Sequence, residues 1–464
     1  MELLEKILAI VGEKGLITGE DVAKRPGDWM GSIPCGAQAV VRPSSTAELS
    51  EVMKLCHAAR QAVVPAGGLT GLVHGANATK EELQISFERM RGIVEVDPIG
   101  RTMTVEAGVP LQAVHEAAAE HGLIYGVDLG ARGSCTIGGN ISTNAGGNTV
   151  IRYGMTRENV LGLEAVLADG TVISSMNTLL KNNAAYDLKQ MFIGSEGTLG
   201  LVTRAVLRLQ PAPVSEVTAI LAIDSFDNLT QLFAQVGKRL GGLLRSFEVM
   251  WGSYYEMIGV DSGRHNVPLP SGHDFYVIVE GAGNDSERDE ALFTEVLCDI
   301  IESGTAADAV VATSNAQRDA IWAIREDVEG QIIALMPGVT FDVSLPISRM
   351  EEYVEGLNKS LRPMCGEEAK MIVYGHLGDN NIHLLVAPRP WSPEARHRAE
   401  EMVYKPLQAL GGSVSAEHCI GLDKREWLPL SRNPEEIALM HTLKAALDPH
   451  GLLNPGKVLL DPES

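Results

Sequence analysis

The stretch Asp128–Gly147, DLGARGSCTIGGNISTNAGG, decides how this chain is read. It is dense in glycine, nearly uncharged, and interleaved with Ser, Thr and Asn. Such a run exposes backbone N–H groups at close range, which is what a phosphate or a polar heterocycle needs. An ordinary glycine-rich loop has the same composition, so the run alone leaves both readings open. A second cluster, Pro65-Ala66-Gly67-Gly68-Leu69-Thr70-Gly71-Leu72, follows directly on the strand-like Ala62-Val63-Val64. Two loops of this kind in one domain point to a long cofactor with a pyrophosphate in its middle.

A length of 464 residues accommodates two or three domains and a full hydrophobic core. Hydrophobic residues at 45% and charged residues at 21% fit a globular chain and exclude a disordered one. The formal charge of −22 argues against nucleic-acid or anionic-membrane partners, which require a cationic face. It leaves an anionic substrate open, because a pocket can carry its own positive charge. Cys35, Cys56, Cys135, Cys298, Cys365 and Cys419 are scattered with no CxxC pair. That spacing excludes a compact cysteine zinc or iron–sulfur motif and fits a reducing compartment. The N-terminal MELLEKILAI carries acidic residues inside its apolar pattern and has no signal-peptide features, and no run of 18 apolar residues occurs. The expectation is a soluble, cytoplasmic protein that is not an integral membrane protein.

Residues 3–11 have helical apolar spacing, and Ser45-Thr46-Ala47-Glu48 reads as a capping box opening a helix to about Arg60. Ile93 to Asp97 and Thr102 to Glu106 read as a hairpin. Pro110 sits in the first turn of a helix that Gly122 ends, and Asp169-Gly170 turns a further hairpin. Ala205 to Leu209 closes this region at Pro211 and Pro213. Beyond about residue 214 the expected elements are strands at 217–223, 275–279, 309–312 and 339–345. Helices are expected at 228–240, 286–302, 315 to about 335, after Pro346, and at 434–447. Strand–helix–strand units of this kind suit an α+β layer with helices on one sheet face. No period of 20 to 50 residues marks a repeat protein.

The chemistry concentrates in Tyr374-Gly375-His376-Leu377-Gly378-Asp379-Asn380-Asn381-Ile382-His383, whose Gly-Asp-Asn-Asn centre reverses the chain. Two imidazoles near one end of a hairpin can bind a divalent metal, with Glu417 as the candidate third ligand and one coordination position left open. Hydrogen-bonded surface histidines are the alternative, and spacing by itself favours it. His418 is a candidate general base. Arg325 can fork onto a carboxylate, or instead pair with Glu329 one helical turn away.

Taken together, Gly67–Leu72, Gly133–Asn140, Thr143–Gly147, Tyr186–Gln190, Gly194–Gly200, Gly375–Asp379, Ser415–His418 and Leu453–Lys457 resemble the flavoprotein D-2-hydroxy-acid dehydrogenases. That group holds D-lactate and D-2-hydroxyglutarate dehydrogenases, and the resemblance runs over nearly the whole chain. It implies an α+β protein with a two-subdomain FAD-binding domain of the vanillyl-alcohol oxidase type (1–213), an α+β substrate or cap domain carrying a metal site (214–420), and a C-terminal helical segment returning to the flavin (421–464). It implies FAD contacts from Pro65, Gly67, Gly68, Thr70, Gly71, Leu72, Ser134, Gly138, Gly139, Asn140, Asn144, Ala145, Gly147, Glu196, Gly197 and Asn454. FAD is expected to be non-covalent, His74 just past the first loop being the nearest histidine. The metal set implied is His376, His383 and Glu417, with zinc favoured and manganese, iron or cobalt compatible with the donors. The implied reaction oxidises a D-2-hydroxy acid to the 2-oxo acid by hydride transfer to flavin. Arg325 anchors a carboxylate, the metal chelates hydroxyl and carboxylate, and His418 takes the hydroxyl proton. The electron acceptor stays open between quinone, electron-transferring flavoprotein, cytochrome and oxygen. A homodimer is common in such proteins.

Departures from the family pattern bear on the substrate. Glu329 and Thr340 stand where D-2-hydroxyglutarate enzymes have Thr and Lys, and Leu385 replaces an Asn two residues after the second histidine. A carboxylate at position 329 would repel a distal substrate carboxylate, at roughly 3–5 kcal/mol for an uncompensated buried charge. D-lactate or a longer neutral-tailed acid is therefore expected before D-2-hydroxyglutarate. A nicotinamide dehydrogenase is disfavoured because no GxGxxG lies between a strand and a helix with an acidic residue downstream. A non-redox zinc hydrolase leaves the glycine runs idle. A non-catalytic flavin-binding protein is separated from an enzyme by substituting His418.

Overall fold

The computed structural model describes residues 2–460, so the last four residues of the expected C-terminal segment lie outside the described residues. Internal packing divides the chain into two units. The first comprises the residues up to Gly147, Tyr153–Ala212 and the residues from Glu417 on; the second comprises Asn148–Arg152 and Pro213–Ala416.

The first unit holds two sheets. One has the strand order Leu16–Thr18, Ala39–Val41, Leu83–Ser86, Val63–Ala66, with the last three parallel. Glu2–Val11 and Thr46–Ala59 pack together on it through Ile7, Val11, Leu49, Val52 and Met53. Ser45 caps the second helix, accepting from the Glu48 N–H at 3.2 Å. The expected reciprocal bond is displaced by one residue: the Glu48 carboxylate accepts from the Ser44 N–H and hydroxyl, each at 2.7 Å. The other sheet is antiparallel and runs Ile93–Asp97, Thr102–Glu106, Leu201–Pro211, Val160–Val166, Val172–Ser175, with Leu123–Tyr125 also on the long strand. Leu111–Ala119 and Ile137–Thr143 bury Leu111, Val114, Ile137 and Ile141 in its core. Pro110 is the residue before the first turn rather than within it. The C-terminal segment returns to the parallel sheet: the Val63 N–H donates to the Leu452 carbonyl and the Asn454 N–H to the Val63 carbonyl, both at 2.8 Å.

The second unit is one seven-stranded antiparallel sheet. Its order is Asp308–Val311, Ser215–Ile223, Phe275–Gly283, Leu244–Trp251, Lys370–Gly375, Asn381–Ala387, Val339–Ser344. Helices cover both of its faces, correcting the expectation of one. Phe226–Leu240 and Pro393–Leu410 lie on one face, where Phe233 packs on Phe247 and Tyr404 on Phe341. The other face is closed by the wide π-type coil Tyr255–Val260 with Asn315–Arg325 and Val328–Leu335. The expected single helix over 315–335 is two helices. Asp327 restarts the chain as a new cap, accepting from the Gly330 N–H at 2.8 Å, so helical bonding breaks at Glu326. Because both faces are covered, the sheet can hold buried polar residues on the second one, and that face carries the site.

Candidate active site

In the first unit the two glycine runs pack backbone on backbone. A Cβ at Gly68 would stand 1.9 Å from the Ser134 carbonyl oxygen, and one at Gly67 would stand 2.6 Å from Thr136 Oγ1. Gly138 leaves the same narrow margin to Ala107, and Gly197 to Pro65. Thr136 caps Ile137–Thr143 by accepting from the Gly139 N–H at 3.4 Å. Asn140 reaches Cys135 Sγ at 3.6 Å, and Asn144, in a left-handed conformation, accepts from the Arg157 N–H at 2.9 Å. These side chains shape the run, leaving its backbone to face a ligand. Ser134 and Gly71 are exposed, and Thr70, Leu72, Gly139 and Ala145 are half-buried.

Asn454 bridges the segment after the first glycine run and Glu196. Its amide donates to the carbonyls of Gly75 at 3.0 Å and Glu196 at 2.7 Å. Its Oδ1 is buried with no hydrogen-bond partner among the described residues. A buried acceptor left open beside two glycine runs fits a polar cofactor that brings its own donor. His74, the nearest histidine to the first loop, is hydrogen-bonded through Nδ1 to Asp423 at 2.9 Å. Substituting Gly68 by Ala sets a methyl against a carbonyl that the packed backbone cannot withdraw. Overpacking of that kind costs about 1–3 kcal/mol or more, and it falls on the cradle itself. The G68A protein is expected to purify with less than about a tenth of the wild-type flavin, since 1.4 kcal/mol is tenfold in binding, as read by the ratio of visible to protein absorbance.

Glu196 is the clasp of this unit. Its carboxylate accepts from the N–H groups of Ile420 and Gly421, each at 2.9 Å. Burial pushes its pKa up to about 7, against the pull of those two donors and of Lys424. The folded protein therefore keeps a proton between about pH 4.5 and 7 that the unfolded chain has lost. Stability contributed by this group falls as pH rises through that window, by roughly 3.5 kcal/mol at 1.4 kcal/mol per pH unit. Urea unfolding of E196Q across the window should show this slope removed, and an unchanged slope would assign it elsewhere.

In the second unit the histidine hairpin forms as expected, with Asn380 in the left-handed region at its turn. His376 directly follows the first strand, Lys370–Gly375, and His383 lies within the second, opposite Tyr374 and Asp342. Both imidazoles are buried, with ring centroids 5.1 Å apart and planes nearly perpendicular. Surface histidines are therefore excluded. Glu248 accepts from His376 Nδ1 at 2.6 Å, a bond that fixes the ring so that Nε2 is the nitrogen that would face a metal. Burial opposes ionisation of Glu248, but the His376 and Arg325 charges and hydrogen bonds outweigh it and hold its pKa below the ordinary carboxylate value.

Arg325 is buried and does not pair with Glu329. Its Nε donates to Glu248 Oε2 at 3.1 Å, and its guanidinium carbon stands 4.5 Å from the Tyr374 ring centre. Nη2 is 2.9 Å from the same carboxylate yet out of line for a hydrogen bond, so donors remain to be used. Glu329 points outward and is ion-paired with Arg264. The expected repulsion from position 329 is thus corrected: that charge is solvated and compensated. Asp342, fully buried opposite His383, accepts from Asn381 Nδ2 at 2.7 Å and from the Ala416 N–H at 3.0 Å. Motif and spacing do not single out Glu248 and Asp342. The available signal was an acid inside each of the apolar runs SFEVMW and VTFDVS.

Glu417 and His418 belong to the first unit and follow directly on Ala416. Glu417 Oε1 accepts from the Gly147 N–H at 2.7 Å. Gly147 has φ 113°, and a Cβ there would stand 1.9 Å from the Asp128 carbonyl. The last residue of the defining glycine run is thus fixed by its conformation and hydrogen-bonded to the expected metal ligand.

Comparison with known proteins places these features in a class. Residues 37–175 match the FAD binding domain family, and residues 212–458 match the C-terminal domain of FAD linked oxidases. The solved structure of p-cresol methylhydroxylase with substrate bound superposes with a TM-score of 0.79 at 14% identity, over 100% of this chain and 97% of that one. Alkyldihydroxyacetonephosphate synthase superposes with a TM-score of 0.74 at 15% identity, over 98% and 84%. The fold is therefore the FAD-binding fold of the vanillyl-alcohol oxidase type. D-2-hydroxyglutarate dehydrogenase of Xanthomonas citri pv. viticola is 40% identical over 440 residues, 93% of this chain and 91% of that protein. The mitochondrial enzyme of that name from Bos taurus is 37% identical over 433 residues, 93% and 78%. A Schizosaccharomyces pombe mitochondrial protein named provisionally for D-lactate dehydrogenase is 34% identical over 469 residues, 97% and 88%. The chain belongs to the FAD-linked oxidases, in the group of flavoprotein D-2-hydroxy-acid dehydrogenases. Among the described residues no helix is long and apolar enough to cross a membrane.

Proposed function

We propose that this chain is an FAD-dependent, metal-assisted dehydrogenase that converts a D-2-hydroxy acid with a neutral tail to its 2-oxo acid. The observation that carries the reading is the buried pair His376 and His383, with Glu248 on the far nitrogen of His376. Two imidazoles sequestered beside a buried acid form a ligand set. Glu417 is the proposed third ligand. The chain leaves the second unit at Ala416, which is held on Asp342 opposite His383, and Glu417 is the next residue.

Bound FAD supplies the hydride acceptor, and a divalent ion supplies Lewis acidity toward the substrate hydroxyl. Zinc is favoured. Arg325 turns its unused guanidinium donors on the substrate carboxylate, held flat by Glu248 at one edge and Tyr374 on one face. His418 takes the hydroxyl proton as the C–H bond at C2 breaks.

The neutral tail rests on Leu385. It lies two residues along the strand from His383, buried with Tyr374 and Leu335, and its cross-strand neighbour is the uncharged Thr340. An apolar wall there discriminates by desolvation, costing a distal carboxylate several kcal/mol unless a cation meets it. D-2-hydroxyglutarate is the second reading, favoured by the names of relatives at 37–40% identity. Steady-state turnover of D-lactate, D-2-hydroxybutyrate, D-mandelate and D-2-hydroxyglutarate decides between them. The proposed order puts the last at least about tenfold below the best neutral acid in kcat/KM, a difference of about 1.4 kcal/mol. A preference for D-2-hydroxyglutarate would establish the second reading.

A further inference from the structure

The strand Leu244–Trp251 carries an acid at its centre whose two oxygens are divided between the residues assigned to metal and to substrate. We propose that Glu248 is a positioning residue that couples the two: Oε1 fixes His376 as a metal ligand while Oε2 orients Arg325 for the substrate carboxylate. The inference rests on the metal reading given above.

Glu248 is 1% exposed, flanked in its strand by Phe247 and Val249 and paired across the sheet with Ile278. A carboxylate in such a place is tolerated only when it is fully paired. Its partners are two buried residues from separate elements: His376 Nδ1 at 2.6 Å, and Arg325 Nε at 3.1 Å. Neither partner is supplied locally, so packing alone does not require the arrangement. An apolar residue would serve the sheet with less desolvation.

The geometry sets what each partner has left. With Nδ1 committed to Glu248, His376 cannot turn without leaving Oε1 of a buried carboxylate without that donor. With Nε committed and Tyr374 4.5 Å from its guanidinium carbon, Arg325 is restrained at one edge and one face. Tyr374 is itself held, its hydroxyl donating to Gln331 Oε1 at 2.9 Å, while Gln331 Nε2 donates to the Tyr254 hydroxyl at 3.2 Å. The Tyr254 hydroxyl in turn donates to the Arg325 carbonyl at 3.0 Å. One shared carboxylate therefore makes metal binding and anion binding interdependent. A cation on His376 draws Glu248 toward the imidazole, which alters the hold on Arg325, and linkage makes the effect reciprocal.

The test measures binding, not turnover. FAD-loaded protein stripped of metal is titrated with Zn²⁺ alone, with oxalate alone as a non-oxidisable carboxylate, and with each in the presence of the other. In E248Q one partner meets an amide N–H₂ instead of an acceptor. Zn²⁺ affinity is expected to fall about 10–100-fold, and the factor by which Zn²⁺ and oxalate strengthen one another is expected to fall toward one. E248D, which keeps the charge, is expected to restore part of both. R325M, which touches no proposed ligand, is expected to shift Zn²⁺ affinity by at least about threefold through the freed carboxylate. That arm remains decisive if E248Q folds poorly. Wild-type Zn²⁺ affinity in both E248Q and R325M, with the mutual strengthening intact, would overturn the proposal while leaving the metal reading standing. Failure of the wild-type protein to bind Zn²⁺, Mn²⁺ or Co²⁺ would instead remove the metal reading and the proposal with it.

Discussion

The H383A protein is expected to purify yellow, with its flavin content near that of the wild type, yet without a stoichiometric divalent metal. Its flavin should be bleached by a D-2-hydroxy acid more than about a thousandfold more slowly. The separation of these effects follows from where the residues are. The residues proposed to hold the cofactor, Gly67, Gly68, the run ending at Gly147, Glu196 and Asn454, all belong to the first unit. His383 is inside a buried strand of the second, between Asp342 and Tyr374. Losing a supporting hydrogen bond to a ligand costs about 10–100-fold in metal affinity, and losing the ligand itself must cost more. Two donors remain of three, which is too few for a tight site. Truncation also leaves a cavity, but its expected cost of a few kcal/mol is borne by one strand of a seven-stranded sheet. Flavin content near wild type together with absent metal and slow bleaching is thus the signature of a lost ligand, whereas loss of flavin together with metal indicates misfolding.

H418N should leave both FAD and metal in place and slow flavin reduction by about 10²–10⁴-fold, the usual contribution of a positioned general base. Asparagine keeps the size and a hydrogen-bonding edge of imidazole but takes up no proton. The loss should appear in the single-turnover rate of flavin reduction under anaerobic conditions. Reoxidation of reduced enzyme by an artificial acceptor should be unchanged, because no hydroxyl proton is moved in that half-reaction. A variant that reduces its flavin at the wild-type rate would assign the proton to another group.

Much of this was legible in the chain. The glycine runs announce themselves because close approach of backbone to backbone tolerates no side chain, and Gly68 and Gly147 show the margin directly. The histidine hairpin is legible because Gly-Asp-Asn-Asn fixes its turn, Ser286–Glu302 because cap and periodicity agree, and Pro434–Leu447 because Asn433 and Glu436 form a capping box at its start. The strand Leu244–Trp251 was not. Both of its faces are buried, so it lacks the alternation that marks a half-exposed strand. With it went Glu248, whose meaning depends on His376 and Arg325, 128 and 77 residues away. The helix Pro393–Leu410 was passed over too, although Ser392 caps it. Arg325 was weighed against Glu329 as a neighbour one helical turn on. The cap at Asp327 breaks that helix, so the two never share a face, and Glu329 goes to Arg264. Long-range ion pairs of this kind are decided by the sheet order, which no local pattern encodes.

On the proposed function, a D-2-hydroxy acid reduces the flavin of this protein only when a divalent ion sits on His376, His383 and Glu417. Anaerobic titration of the FAD-loaded protein with D- and L-2-hydroxy acids, before and after chelator and again after Zn²⁺ or Mn²⁺ is returned, measures it directly. Bleaching by the D-acid alone is expected, lost with the chelated metal while FAD stays bound and recovered on adding the ion. Full bleaching at the same rate in rigorously metal-free protein would contradict it.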